Sequence, residues 1–273
     1  KISVTVASQD ARVPTNAISV YVDGTRVAAP VLKKAHLGKV TVTLPALSPG
    51  SHRISATYWG SKSVKRSYAV ARTIAAVEPT TTSASLATPT VRAGQVAVVK
   101  VKVATKRGVA PAAGEVLASI NGVVVASQPV AKATNGTLAL NLVGISPGSH
   151  QVAVKFVGAR YQLPSTAPNQ KLVVTAATTT ALAGAATVGK GAKASLTIQV
   201  LGPKGVGVTT GDVRVFDGAK LITTVSLAKA VGGKIAVSLP VLASGSHQLS
   251  ASFVGTELLE ASTSGSHLLK VSK

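Results

Sequence analysis

Apolar and polar side chains alternate along short segments of this chain, and residues 52–59 show the pattern clearly. One set of alternate positions is largely apolar and ends in an aromatic ring, whereas the other set is mostly polar. Successive side chains of a β-strand point to opposite faces of a sheet, so this pattern predicts a strand with one face in a core and one in water. The core set is His52, Ile54, Ala56 and Tyr58, and the outward set is Arg53, Ser55, Thr57 and Trp59.

The same stretch occurs three times along the chain. A Gly-Ser-His sequence precedes the strand in each copy, and its glycines are Gly50, Gly148 and Gly245, so the period is 98 and then 97 residues. Solenoid repeats are shorter, about 20–50 residues, and a period of this length is that of a whole domain. We therefore predict three domains, called repeats 1, 2 and 3 below, at residues 1–77, 78–175 and 176–273.

Repeat 2 contains about seven segments of this kind and no stretch with helical periodicity. Glu115–Ile120 and Val123–Ser127 flank Asn121-Gly122, which is a strong signal for a two-residue hairpin turn. The opening strand is predicted at residues 83–88, with Thr80–Thr82 interpreted as part of the linker before it. Seven short strands without helices predict an antiparallel sandwich of two sheets.

Repeat 1 lacks the opening strand of this pattern. Ile2 and Val4 align with Val99 and Val101 of the second strand of repeat 2, so the first strand has no counterpart. One interpretation is that the chain was cut or cleaved upstream. The alternative is completion by another copy or another protein, because an unpaired sheet edge is a template for strand addition. Self-assembly through the open edge of repeat 1 is therefore one expected interaction.

The charge balance is strongly basic, with 29 Lys and Arg against 8 Asp and Glu and a net charge of +21. A field of this sign attracts polyanions. A solvated surface is one explanation, and an anionic cell-wall polymer or glycan is the expected partner if there is one. We expect no nucleic-acid partner, since nucleic-acid-binding proteins usually add clustered arginine and stacking aromatics, whereas aromatic residues are 3% of this chain.

Two further features of composition narrow the expected class of protein. Cysteine is absent, which excludes disulfides and thiolate metal sites. The chain also lacks the run of about 20 apolar residues that a membrane-spanning helix needs, so we expect no membrane span in this fragment and a soluble protein.

Two motifs give the sequence a family resemblance. Gly211–Gly218 resembles the Gly-x-Val-x-Phe-x-Asp-Gly hairpin of bacterial immunoglobulin-like repeat domains. Leu47–Gly60 is similar to a second signature of that family, Leu-x-x-Gly-x-His-x-x-x-Ala-x-Tyr-x-Gly. The resemblance covers essentially the whole chain, three times. It implies three tandem immunoglobulin-like antiparallel β-sandwiches, the first lacking its opening strand, and a spacer or adhesive role in a surface or secreted bacterial protein.

One departure from the family concerns the acid of the hairpin turn. Repeat 2 has Asn121 where the other repeats have Asp23 and Asp217. Calcium needs about six to eight oxygen ligands with several carboxylates. We therefore expect no calcium site at these turns and no metal or cofactor elsewhere.

The recurring histidines are interpreted as markers of the fold. They lie in different repeats, so they cannot share one metal ion. Each begins a core-facing strand, where a ring nitrogen can bond a nearby carbonyl, and no acid recurs beside them in the sequence. A serine-histidine-acid triad is therefore not predicted, and no residue is assigned a catalytic role. The fold-marker residues are His52, His150, His247, Gly50, Gly148 and Gly245.

The outward face of the histidine strand is where the copies differ from one another. Its candidate surface contacts are Trp59, Arg53 and Lys155. Trp59 is an aromatic residue predicted to face outward. Packing against the next domain or a neighbouring strand is the favoured interpretation, and contact with a glycan is the alternative, since glycan-binding faces use exposed aromatics.

These observations favour a non-catalytic structural or adhesive stalk, or an assembly module, of a bacterial surface or secreted protein. The alternatives are a binding module that holds anionic cell-envelope polymer or glycan through Lys-rich faces, and an accessory region of a secreted enzyme. In each case the expected location is extracellular or at the bacterial cell surface.

Overall fold

The computed structural model describes residues 1–273, apart from the side chain of Lys132. The chain is all β and folds as three tandem immunoglobulin-like sandwiches, which confirms the predicted fold class. The helical elements among the described residues are four short 3-10 turns, at Lys34–His36, Val130–Lys132, Pro203–Gly205 and Leu227–Lys229. None of the helices in the described chain has the length and apolar character needed to span a bilayer.

Repeat 2 shows the complete arrangement of strands. Its strands are β9 (Thr80–Leu86), β10 (Thr90–Arg92), β11 (Ala97–Thr105), β12 (Glu115–Ile120), β13 (Val123–Pro129), β14 (Thr137–Leu142), β15 (Gly148–Phe156), β16 (Ser165–Thr166) and β17 (Gln170–Thr175). A three-stranded sheet has the order β14-β11-β9, and a larger sheet has the order β10-β17-β15-β12-β13, with β16 paired to β15.

Repeat 3 has the same two sheets as repeat 2. Its strands are β18 (Thr179–Gly184), β19 (Thr187–Val188), β20 (Ser195–Leu201), β21 (Asp212–Asp217), β22 (Lys220–Ser226), β23 (Lys234–Ser238), β24 (Gly245–Phe253), β25 (Ser262–Thr263) and β26 (His267–Val271). The sheet orders are β18-β20-β23 and β19-β26-β24-β21-β22, with β25 paired to β24.

Repeat 1 has a reduced small sheet, in which β1 pairs with β5, while its larger sheet has the order β3-β2-β6-β7 with β4 on β2 and β8 on β6. The missing opening strand is thus the counterpart of β9 and β18, as predicted. Its strands are β1 (Ile2–Thr5), β2 (Asn16–Val22), β3 (Thr25–Ala28), β4 (Val31–Leu32), β5 (Lys39–Val42), β6 (Gly50–Tyr58), β7 (Ser67–Tyr68) and β8 (Arg72–Ala76).

The opening strand of repeat 2 starts earlier than the sequence predicted. The linker interpretation of Thr80–Thr82 is wrong, because these residues form the first part of β9 and pair with the end of β11. Pro89 then separates β9 from β10, which joins the other sheet by a parallel pairing with β17. A proline cannot donate to a ladder, so it suits the point at which a chain leaves one sheet for the other.

A separate hydrophobic core lies between the two sheets of each repeat. The members of each core cluster come from a single repeat. An aromatic ring at the end of the histidine strand is buried in all three cores, as Tyr58, Phe156 and Phe253. The tyrosine adds a hydrogen bond from its hydroxyl to the Thr15 carbonyl, at 2.7 Å.

Candidate contact surface

The histidine at the start of β6 ties two turns of repeat 1 together. Its Nδ1 lies 2.7 Å from Oδ2 of Asp23, in the β2–β3 turn, and its Nε2 lies 2.7 Å from the Ser48 carbonyl oxygen. The second carboxylate oxygen of Asp23 accepts a hydrogen bond from the Arg53 amide at 2.7 Å. Together, these contacts hold the hairpin turn against the beginning of the next strand.

Repeat 3 has the same arrangement. Nδ1 of His247 lies 2.7 Å from Asp217, and Nε2 lies 2.8 Å from the Ala243 carbonyl oxygen. No acid stands beside the histidines in the sequence, but in space an acid contacts two of them, and it comes from the hairpin turn about 30 residues earlier. The hairpin turn and the histidine strand, the two repeated motifs of the sequence, meet at this contact.

Repeat 2 keeps only half of the arrangement. Nε2 of His150 lies 2.8 Å from the Ser146 carbonyl oxygen. The Asp position is Asn121, and the buried Nδ1 of His150 has no hydrogen-bond partner among the described residues. The histidine therefore fixes the corner in all three repeats, but the carboxylate is present in two.

The acceptors around the ring favour the doubly protonated histidine in repeats 1 and 3. A carboxylate and a carbonyl only accept hydrogen bonds, so both ring nitrogens must donate. The pKa values of His52 and His247 are raised, chiefly by the hydrogen bonds to Asp23 and Asp217. The pKa of Asp23 is lowered, first by the Arg53 amide and then by His52.

This geometry gives the ring a positioning role. A histidine acting as a general base needs a nitrogen lone pair directed at the group that loses its proton. In repeats 1 and 3 both nitrogens point at oxygens that hold the turn in place. The histidine and its acid are thus part of the scaffold.

We expect Asp23→Asn to lower the thermal stability of repeat 1 by a few degrees near pH 5.5 and by much less near pH 8. Because the pKa of His52 is raised in the folded state, protonated His52 stabilises repeat 1 fully below the ordinary histidine pKa, about 6.5. This stabilisation is lost as the pH rises through the folded-state pKa. Because the pKa of Asp23 is lowered in the folded state, ionised Asp23 stabilises repeat 1 fully above its ordinary pKa of 3.8. This stabilisation is lost as the pH falls through the folded-state pKa. The loss on substitution is therefore largest between these limits, and thermal unfolding followed at several pH values measures it.

The control for this experiment is Asp212→Asn, which removes a carboxylate from β21 of repeat 3. The Asp23→Asn variant is expected to fold, because repeat 2 already has Asn121 at the equivalent position. An equal loss of stability at both pH values would show that the ion pair does not carry the effect.

The outer face of the larger sheet in repeat 1 carries a stack of three side chains. The Arg66 guanidinium lies 4.0 Å from the centre of the Trp59 ring and 4.8 Å from that of Tyr68. Nε1 of Trp59 donates a hydrogen bond to Oγ of Ser19 at 2.8 Å. We call Trp59, Arg66 and Tyr68 the Trp59 surface.

Polar side chains lie buried beneath this stack. Ser19 and Thr57 are partners across β2 and β6, and Tyr68 pairs with Thr57 across β7. Ser19 is 2% exposed and Thr57 is 8% exposed, although both are on the outward side of the sheet. The side chains of the Trp59 surface therefore shield from water a face that the strand pattern alone predicts to be open.

The other two repeats have small residues in place of this stack. Val157 and Val254 occupy the position of Trp59, and all three residues are 45% exposed. The fold therefore places this position at the surface in every repeat but does not require an aromatic ring there. The residues at the position of Arg66 are Pro164 and Ala261, and those at the position of Tyr68 are Thr166 and Thr263.

The other candidate contacts do not join Trp59. Arg53 is exposed on β6, six residues away and thus about 20 Å along the strand. Lys155 is exposed in a different repeat. The sequence argument missed Arg66 and Tyr68, because they follow an irregular loop with no periodic pattern. Comparing the three repeats position by position would have found them, since both differ in type from their counterparts.

The segment of sequence that contains the Trp59 surface is strongly basic. Nine Lys and Arg residues and no acid lie between Asp23 and Glu78 in the sequence. One of these nine, Arg66, is within the stack itself. A guanidinium on an aromatic face keeps donors free at its edge for a carboxylate, phosphate or sulfate.

No protein-family model matches this sequence, and no curated protein matches it either. Similar solved structures include a marsupial T cell receptor, at 14% identity and a TM-score of 0.43, covering 69% of this chain and 71% of the receptor chain. The Escherichia coli adhesin FdeC matches at 16% identity and a TM-score of 0.42, over 82% of this chain and 74% of the adhesin chain. A C-terminal 282-residue fragment of intimin, in complex with the intimin-binding domain of the translocated intimin receptor, matches at 17% identity and a TM-score of 0.39, over 66% of this chain and 61% of that chain. The fold assignment itself comes from the strand pairings described above.

Proposed function

We propose that this chain is a non-catalytic structural and adhesive module of a bacterial surface or secreted protein. The three sandwiches form the scaffold, and the Trp59 surface makes the specific contact.

The observation that carries this proposal is a surface feature present in one repeat of three. The aromatic and guanidinium groups of Trp59, Arg66 and Tyr68 replace small residues at positions that are solvent-facing on every copy of the scaffold. Tryptophan, tyrosine and arginine are the residue types that carry most binding energy at protein contact surfaces. Because these three positions are exposed in every repeat, the difference between the repeats supports a role of the stack in binding.

The second candidate names the class of ligand as an anionic envelope polymer or glycan. It is favoured by the net charge of +21 and by the absence of acids between Asp23 and Glu78 in the sequence. Charge alone attracts any polyanion over the whole surface, whereas the Trp59 surface adds one place where an anionic group meets donors and an aromatic face. Under this candidate, binding weakens with salt, because a salt solution screens exposed charges.

Trp59 provides a direct test, because it is the single tryptophan of the chain. We expect polyglycerol phosphate and dextran sulfate to change the Trp59 fluorescence in a saturable way at low salt, and this change to weaken as salt is added. Neutral dextran is the matched control for dextran sulfate and is expected to give no change.

Each result separates the two candidates. Sedimentation of the polymer with the protein, without a change in Trp59 fluorescence, would show that distributed charge carries the binding and would contradict the proposed contact surface. An equal response to neutral dextran would contradict the anionic ligand class.

A further inference from the structure

The histidine of repeat 2 has a buried ring nitrogen without a partner. Nε2 of His150 lies 2.8 Å from the Ser146 carbonyl oxygen, whereas Nδ1 has no hydrogen-bond partner among the described residues. A carbonyl oxygen only accepts hydrogen bonds, so Nε2 carries a proton and Nδ1 of the neutral ring has a free lone pair. A buried polar atom in this state is destabilising, because it has lost water and gained no partner.

The hairpin turn that supplies the partner in repeat 1 has the same shape in repeat 2. Ile120 pairs with Val152 as Val22 pairs with Ile54, so the turn and the histidine strand are in the same register. The two turn residues have φ values of +51° and +83° in repeat 2 and +50° and +82° in repeat 1. A carboxylate on the first turn residue of repeat 2 would therefore reach the histidine Nδ1, as it does in repeat 1.

The sequence of this turn can generate such a carboxylate without an enzyme. Its residues are Asn121 and Gly122, and an asparagine followed by glycine is prone to deamidation, because glycine has no side chain to hinder attack by its amide nitrogen. Both residues are exposed, and the Gly122 amide donates no backbone hydrogen bond among the described residues. The reacting atoms are thus open to solvent.

The reaction needs only water. After a solvent base removes its proton, the Gly122 nitrogen bonds to Cγ of Asn121, the bond from Cγ to Nδ2 breaks, and Nδ2 leaves as ammonia after taking up a proton. Water then opens the cyclic imide. Opening at Cγ gives aspartate with the original main chain. Opening at the main-chain carbonyl gives isoaspartate, whose main chain runs through the side chain and no longer matches the turn of repeat 1.

We propose that Asn121 is a deamidation site and that the aspartate formed there pairs with Nδ1 of His150. The product gives repeat 2 the corner that repeats 1 and 3 have in their sequences. The carboxylate adds a negative charge, and the ring takes up a proton at Nδ1, so that both ring nitrogens then donate. This modification is independent of the proposed function, since it lies in a different repeat from the Trp59 surface.

A second Asn-Gly turn of the same repeat is the matched control. Asn135 and Gly136 have φ values of +49° and +75°, close to those of the first pair. This turn bonds Val103, whereas His150 follows the end of β14, which pairs with Ala97. Val103 and Ala97 are six residues apart on β11, which is about 20 Å along the strand. Deamidation at the control turn therefore gives a carboxylate without a histidine partner.

The first test incubates the whole chain at mildly alkaline pH and maps its peptides by a method that separates aspartate from isoaspartate. We expect the Asn121 amide to be lost and aspartate to form in its place. Retention of this amide long after a synthetic peptide of residues 116–126 has converted completely would overturn the proposal. Isoaspartate as the sole product at this position would overturn it as well.

The second test measures hydrogen exchange of the β12 and β15 amides near pH 7. We expect Asn121→Asp to slow this exchange roughly three- to tenfold, because a charged hydrogen bond is added, and Asn135→Asp not to slow it. Nitrogen NMR should show that Nδ1 of His150 gains a proton in Asn121→Asp and not in the control. Equal exchange in the two variants, or an unprotonated Nδ1 in Asn121→Asp, would overturn the pairing.

Discussion

Phe253→Ala is expected to reduce the free energy of unfolding of repeat 3 by about 3–5 kcal/mol. The ring is fully buried at the end of β24 and belongs to the core cluster of repeat 3. Its removal leaves a cavity in a close-packed core, and the surrounding strands relax only partly. Calorimetry of the variant should show that one unfolding transition moves to a lower temperature. The transition of repeat 1, which Trp59 fluorescence reports, should be unchanged.

This result depends on the repeats unfolding as separate units. Each core cluster draws its members from one repeat. Repeats 2 and 3 are linked by the exposed ion pair Lys171–Glu257 and by Glu260, which is partly buried and contacts both Arg92 and the Thr175 hydroxyl. An exposed ion pair contributes about 0–1 kcal/mol. The control is Val254→Ala, at the next position along the chain, where the side chain is 45% exposed. It is expected to lower the free energy of unfolding by less than about 0.5 kcal/mol. A single transition that shifts as a whole would contradict independent unfolding.

Gly136→Ala is expected to destabilise repeat 2 much more than Gly122→Ala. Both glycines have positive φ values, +75° and +83°, so either substitution costs about 1–2 kcal/mol of backbone strain. A Cβ on Gly136 would also lie 2.3 Å from the Val103 carbonyl oxygen, whereas one on Gly122 meets nothing within 4 Å. We expect about 1–3 kcal/mol of additional loss at Gly136 from this overlap.

Chemical denaturation of the two variants measures this difference. The Gly136 carbonyl accepts a hydrogen bond from Val103 at 2.9 Å, so the chain here must stay close to β11. The equivalent glycines, Gly38 and Gly233, have the same 2.3 Å approach to a carbonyl oxygen and should respond alike. Equal losses at Gly136 and Gly122 would show that the close approach is not required.

The sequence predicted the parts of this fold that follow from local patterns. Strict alternation fixed the faces of the histidine strand, and the Asn-Gly and Asp-Gly turns located the hairpins. For example, β12 begins and ends as predicted, at Glu115–Ile120. The period of the repeated motif separated the three sandwiches and identified the strand that repeat 1 lacks.

The contacts missed by the sequence argument are those between residues distant in the chain. Asp23 and His52 are 29 positions apart, and only the pairing of β2 with β6 brings them together. Thr80 and Thr82 belong to a strand because they pair with β11, more than 20 positions later, and their hydroxyls contact Ser165, more than 80 positions later. A threonine-rich stretch has the same local pattern in a linker as in an edge strand, so local pattern could not distinguish them.

The candidate site was predicted in part for a similar reason. Alternation placed Trp59 on the outward face, but the same rule placed Arg53 and Lys155 there without showing that they lie apart. Arg66 stacks on Trp59 because the loop after β6 returns the chain to the same sheet at β7. That return is a property of the tertiary fold.

The most direct test of the proposed contact surface replaces it with the residues of repeat 3. The variant Trp59→Val, Arg66→Ala, Tyr68→Thr introduces the side chains of Val254, Ala261 and Thr263. Because these residues already suit the same scaffold position, the variant is expected to fold, and calorimetry can verify this.

The measurement is the affinity for dextran sulfate at low salt, by calorimetry, against the charge-matched control Arg160→Ala. Arg160 also lies over an aromatic ring, 5.4 Å from the centre of Tyr161, but in repeat 2. We predict a loss of about tenfold or more for the triple variant, which corresponds to about 1.4 kcal/mol, and less than about twofold for the control. Equal losses in the two variants would contradict a specific contact surface on repeat 1.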